Sequence, residues 1–186
     1  MTKNEEMDFR DRKLLFIDLE TTGLDFNRHE IIEVGCLLVD GKSLKVIDEY
    51  HARVKPEHIE TADKEGLKVS GYSKRKWKDA LLLKEVLKEV VKFAPKAMVA
   101  GWKVDFDWWF LDTNLKKLGV KHQFDYHLVD VISIAYIHLR SQKRPKKLNL
   151  RSVARSLGIR VDEQHSAMTD IRATYEVFKK LMEDEI

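Results

Sequence analysis

Cysteine is almost missing from this sequence. Cys36 stands alone, so the chain cannot close an internal disulfide, and a reducing interior suits it. Proline is scarce, with three residues, and no low-complexity segment or internal repeat interrupts the chain. No apolar run is long enough to cross a bilayer, which excludes an integral helical membrane protein. The start, Met1 to Arg12, has no apolar signal core. A cytoplasmic protein without membrane attachment is the expectation. A large excess of one charge is missing too. The net charge is +3, so any nucleic-acid site must come from local clusters rather than a general polyanion-binding surface.

What remains is a soluble composition, 44% hydrophobic and 35% charged over 186 residues. That length fits one domain with a sizeable core. We read residues 1–12 as a flexible lead and 13–186 as a single domain.

Lys13 to Leu19 is bulky and apolar and reads as a strand. Ile31 to Val39 makes a second, ended by the turn signal Asp40-Gly41. Leu44 to Val54 makes a third, and short turns suggest an antiparallel meander. Pro56 to Lys78 reads as loops with a short helix. An amphipathic pattern predicts a helix over Ala80 to Phe93, with Asp79 as its cap. Then come a strand at Ala97 to Ala100, a helix from Asp105 to Leu118 stopped by Gly119, and a strand near Tyr126 to Val129. Helices follow at Asp130 to Leu139, Leu148 to Leu157 and Ser166 to Met182. This order predicts an α/β fold: a mixed five-stranded sheet, three antiparallel strands then parallel ones, flanked by helices.

The stretch Phe16-Ile17-Asp18-Leu19-Glu20-Thr21-Thr22-Gly23-Leu24 organises the chain. Side chains alternate along a strand, so Leu14, Phe16, Asp18 and Glu20 share one face and Leu15, Ile17 and Leu19 the other. Two carboxylates thus continue an apolar face. Either they are a solvated strand end, or a hard divalent cation compensates them. Asp107, in Phe106-Asp107-Trp108-Trp109-Phe110, starts a helix. It is a further candidate ligand, or else Asp105 and Asp107 only favour the helix dipole. Trp108, Trp109 and Phe110 are expected to anchor that helix in the core. Asp170, in His165-Ser166-Ala167-Met168-Thr169-Asp170, opens the last helix, and His165 precedes it. His165 is a solvated loop histidine or a general base.

Together these three segments resemble the exonuclease motifs of the DEDDh (DnaQ-like) 3′–5′ exonucleases, a group that includes the proofreading subunit of bacterial polymerase III. The likeness spans Lys13 to about Leu181. It implies a ribonuclease H-like fold and two Mg²⁺ or Mn²⁺ ions. By position, Asp18, Glu20 and Asp170 would hold the inner ion. Asp18 would bridge to the outer one, and Asp107 would hold that one largely through water. His165 would be the base. Thr21, Thr22, Gly23 and Leu24 resemble the seat of the terminal nucleotide, with Leu24 wedged against its base. The family's usual His-Asn before Phe-Asp reads Trp102-Lys103 here, so Lys103 would bring a positive charge to the substrate strand.

Two basic groups accompany the motifs: Arg140, Lys143, Arg144, Lys146 and Lys147 ahead of Arg151 and Arg155, and Lys74, Arg75, Lys76 and Lys78 beside Tyr72 and Trp77. They are phosphate contacts with aromatic stacking partners, or a solubilising surface. The implied substrate is single-stranded DNA or RNA with a free 3′ end, cut to 5′-monophosphates. No residue declares a sugar preference or an oligomeric state. The short stretch after the last helix favours a free-standing nuclease over a proofreading subunit in a polymerase complex. A weakly active binding module on the same fold is the other alternative.

Overall fold

The computed structural model describes residues 8–162 and 166–183. Five strands form one sheet: β1 (Leu14–Thr21), β2 (Ile31–Val39), β3 (Val46–Arg53), β4 (Met98–Gly101) and β5 (Leu128–Asp130), in the order β3-β2-β1-β4-β5. β2 pairs antiparallel with β1 and β3, whereas β4 runs parallel to β1 and β5 parallel to β4. The mixed sheet expected from the sequence is therefore present. Among the described residues six α-helices accompany it: α1 (Lys64–Val69), α2 (Leu83–Phe93), α3 (Val104–Leu118), α4 (Val131–Leu139), α5 (Leu150–Ser156) and α6 (Ala167–Glu183). Among the described residues no helix is long and apolar enough to cross a membrane.

The alternation of β1 divides the interior into two cores. Leu15, Ile17 and Leu19 pack with α2 and α3 through Val86, Leu87, Val90, Phe110 and Leu111. Leu14 and Phe16 pack with α4, α5 and α6 through Val131, Val153, Ile171 and Phe178. Phe16 meets the rings of Tyr175 and Phe178 edge-on, at 5.7 and 5.3 Å between centroids. Asp18 and Glu20 extend this second face, so they emerge beneath α6.

The described part of the lead holds a 3₁₀ turn, Phe9–Asp11, with Asp8 accepting a hydrogen bond from the Arg10 amide. Two expectations needed adjustment. β3 begins later than expected because Leu44 adopts a left-handed conformation in the turn, at φ 52°. α2 starts at Leu83, and Asp79 does not cap it. Leu81 is drawn instead into a parallel bridge with Val54, and its amide donates to the Arg53 carbonyl. The Leu82 amide at the helix start donates to the Glu85 carboxylate at 3.3 Å.

Candidate metal centre and nucleotide cleft

Asp18 and Glu20 face the N-terminal turn of α6, which brings Asp170 to them. Each of the three offers a carboxylate oxygen lying within 4.8 Å of those of the other two. Gly35 makes this approach possible. It sits opposite Asp18 in the β1–β2 register, and a Cβ there would lie 2.7 Å from the backbone carbon of Ala167 at the start of α6. No side chain fits, so only glycine lets α6 settle this low on β2. Gly35 was not identified from the sequence, although an isolated glycine within a strand is the usual mark of a close backbone approach.

Asp107 arrives from the other layer. β4 pairs with β1 only from Leu14 to Phe16, so the strands part beyond that point. There the Leu19 amide, between the two acids, donates to Asp107 Oδ1 at 2.9 Å. Asp107 is buried and stands beside the cluster of three. The parting of adjacent strands is where open α/β sheets gather ligands.

The electrostatics are those of buried carboxylates crowded against one another. Burial, then the charges of Asp107, Glu20 and Asp170, raises the Asp18 pKa well above the carboxylate range. Burial also raises Asp107, against the opposing hydrogen bond from Leu19. Burial, then Asp170 and Glu33, pushes Glu20 up to about 7, with Arg151 acting the other way. Glu33 is a fifth acid that the sequence reading missed. It is buried, opposes Glu20 across the β1–β2 ladder, and lies 2.9 Å from His51 Nε2. A charged residue inside the apolar run Ile31-Ile32-Glu33-Val34 was the available signal. Hard oxygen donors crowded together against their own repulsion fit a hard divalent cation.

These shifts have a testable sign. A carboxyl with a raised native pKa binds its proton more tightly when folded. Its stability contribution is full below the unfolded pKa and is lost as pH climbs through the native value. The metal-free protein should therefore lose stability between about pH 4.5 and pH 7, the window set by Glu20. A divalent cation should restore it, but only where the acids are ionised. Saturating Mn²⁺ should raise the melting temperature by about 5–10 °C near pH 8 and by little at pH 5. An Mn²⁺ effect independent of pH would contradict these assignments.

Beside the acids lies a cleft of about 360 Å³ lined by Glu20, Thr21, Gly23, Leu24, Gly66, Val69 and Phe106, among others. Of the residues expected to seat a nucleotide, Thr21, Gly23 and the 80% exposed Leu24 are on its wall. Thr22 is not. It is fully buried, and its polar groups are spent on the fold: its amide donates to Glu30, its hydroxyl accepts from the Glu30 amide, and its carbonyl accepts from Asp63. Lys103 stands exposed at the start of α3 in a left-handed conformation, φ 59°. In the loop Asp25 to His29, Asp25, Asn27 and Arg28 are exposed while Phe26 and His29 turn inward. Phe26 stacks on Trp109 at 5.7 Å, and His29 is buried 3.6 Å from the Asp63 carboxylate. A Cβ on Gly23 would come within 2.6 Å of both the His29 ring and the Asp63 carboxylate, so a larger residue there would have to displace these side chains.

Two aromatic expectations change. Trp109 is 51% exposed rather than a core anchor, that role falling to the buried Phe110. Trp77 cannot stack on bases, because it is buried and its Nε1 donates to the Ile32 carbonyl at 2.7 Å. His165 lies outside the described residues.

Known proteins resemble this arrangement. The chain is 28% identical over 181 residues to a PolC-type DNA polymerase III of Thermotoga maritima, covering 97% of this chain and 12% of that protein. It thus spans about an eighth of the length of the polymerases it matches. It is 27% identical over 183 residues to the DNA polymerase III subunit epsilon of Aquifex aeolicus, covering 94% and 82%. The zinc-bound complex of E. coli ExoI with single-stranded DNA shares the fold at a TM-score of 0.78 and 18% identity, over 94% of this chain and 41% of that one. Residues 15–178 match the RNase_T model, described as exonuclease, and with most of its length inside that match this chain belongs to the exonuclease family.

Proposed function

We propose that the protein is a divalent-metal-dependent 3′–5′ exonuclease that removes nucleoside 5′-monophosphates from single-stranded nucleic acid. The observation that carries this reading is the meeting of Asp18, Glu20 and Asp170 with Asp107 at the parting of β1 and β4. Asp18, Glu20 and Asp170 would hold one Mg²⁺ or Mn²⁺ ion, and Asp107 with Asp18 a second. Bound there, such ions supply activation of the attacking water and relief of charge on the phosphate and its departing 3′-oxygen.

The chain's own groups do the rest. The cleft beside Glu20 receives the terminal nucleotide, whose sugar and base lie against Gly23, Leu24 and Val69. Asp63, Glu65 and Gly66 form a further part of its wall, and the part of a strand it receives is a free 3′ end. Carboxylates placed near a scissile phosphate also repel it when unneutralised, which ties binding to metal loading. His165, which precedes Asp170 in the same sequence motif, takes the proton of the attacking water, a role worth a factor of about 10²–10⁴ in such reactions. The exposed cations Arg140, Lys143, Arg144, Lys146 and Lys147 supply sequence-independent phosphate contacts.

Similarity to polymerase III proteins favours one second reading, proofreading for a polymerase. Co-purification with a polymerase would support it. The primary test is digestion of 5′-labelled and 3′-labelled DNA and RNA oligonucleotides with Mg²⁺ or Mn²⁺ against EDTA. A ladder from the 5′ label, immediate mononucleotide from the 3′ label and silence in EDTA are the expected results. Internal cuts, or activity in EDTA, would reject the reading.

A further inference from the structure

The nucleotide cleft and the most exposed aromatic ring of α3 are built from the same two segments. Leu24 and Phe106 line the cleft. Phe26 follows Leu24 in the same loop, and Trp109 follows Phe106 by about one turn of α3. A row of rings joins them. Between centroids, Phe106 lies 5.0 Å from Phe110, Phe110 6.4 Å from Phe26, and Phe26 5.7 Å from Trp109. The last pair is stacked, with 18° between the planes. Phe26 thus covers one face of Trp109, yet the residue remains 51% exposed.

This indole is held in place at the surface. Phe26 beneath it packs against the core that β1, α2 and α3 share. Stacked on that support, the Trp109 ring has little rotamer freedom left to lose when a second flat group meets its open face. The core does not need the indole, since Phe110 and Leu111 of α3 fill it. The surroundings select the partner. Exposed carboxylates flank the stacked pair along the chain, Asp25 just before Phe26 and Asp105 one turn before Trp109. They disfavour a phosphate at this spot. The uncharged face of a nucleobase stacks on indole whatever its sequence.

We propose that Trp109 is a base-binding residue for the substrate strand: its open face stacks on the base of the second or third nucleotide from the 3′ end while the terminal nucleotide occupies the cleft. The proposal rests on the exonuclease reading above and extends that site beyond the terminal nucleotide. A base offers its face to Trp109 only when it is unpaired, so the platform favours a single-stranded end over a duplex one. An indole kept only as cover for Phe26 would be indifferent to the bases of the substrate.

The test measures release of the first nucleotide from short 5′-labelled single strands by wild type, Trp109→Ala and Trp109→Leu. One strand is intact, and the other lacks the bases of its second and third nucleotides from the 3′ end. With wild type, removing these bases should raise KM about 5–50-fold. Trp109→Ala should raise KM on the intact strand by a similar factor. It should respond to base removal by less than about twofold, because the bases have already lost their partner. Trp109→Leu keeps an apolar cover over Phe26 without the flat ring. It should match the alanine variant, and it decides the matter alone if that variant does not fold. A base effect as large in the variants as in wild type, or none in wild type, would overturn the proposal and leave the nuclease reading standing, with the open ring left to a protein partner. A wild-type protein that releases no monophosphate would overturn both.

Discussion

Asp18→Asn removes hydrolysis and makes the metal-free protein more stable. Asp18 is the acid nearest the centre of the repulsive group, raised by its own burial and by Asp107, Glu20 and Asp170. Asparagine keeps the shape and deletes the charge. Divalent ions contribute several kcal/mol of charge stabilisation to phosphoryl-type reactions, so losing their central ligand should lower kcat by about 10³-fold or more. The same change relieves a buried like-charge contact. The melting temperature at pH 8 in EDTA should rise by about 2–4 °C for each kcal/mol removed, and the Mn²⁺-induced increment should vanish. Opposite movements of activity and stability are the mark of a site whose residues were kept for chemistry. Wild-type turnover in this variant, or a lowered melting temperature in EDTA, would contradict the role given to Asp18.

Gly35→Ala should damage both properties together. One methyl group at this position meets the backbone of Ala167 and Met168 within 2.9 Å, and backbone cannot move aside as a long side chain can. Either α6 lifts from β2 or the strand bends. Such overpacking costs about 1–3 kcal/mol or more. The lift also carries Asp170 away from Asp18 and Glu20, and misplacement near 1 Å at a reacting centre costs about 10²-fold. Thermal melting and oligonucleotide digestion on the same preparation check this. A stable, active Gly35→Ala protein would mean that α6 tolerates a higher seat than the structure gives it.

The contrast between these two residues shows what the sequence made legible. Asp18 and Glu20 were readable because strand alternation assigns their face without reference to any other element. The sheet order followed from short turns among the first strands and helices among the later ones. Asp107 and Asp170 were recognisable through the motif resemblance, and their convergence depends on contacts between elements far apart in the chain. Gly35 and Glu33 act entirely through such contacts: one by the helix it admits, the other by facing Glu20 and His51 across the sheet. Helical spacing near Asp79 was read correctly as amphipathic, yet pairing of Leu81 with Val54 overrode it at the helix start. Trp77 sits in a basic aromatic stretch that resembles a stacking surface. Its burial is set by the Ile32 carbonyl, distant in sequence.

The most direct measurement is an anomalous difference map from crystals soaked in Mn²⁺. The account predicts a peak coordinated by carboxylate oxygens of Asp18, Glu20 and Asp170, absent from Asp18→Asn crystals soaked in the same way. A map from well-ordered wild-type crystals with no peak among these three side chains, or with manganese bound elsewhere on the protein, would contradict it.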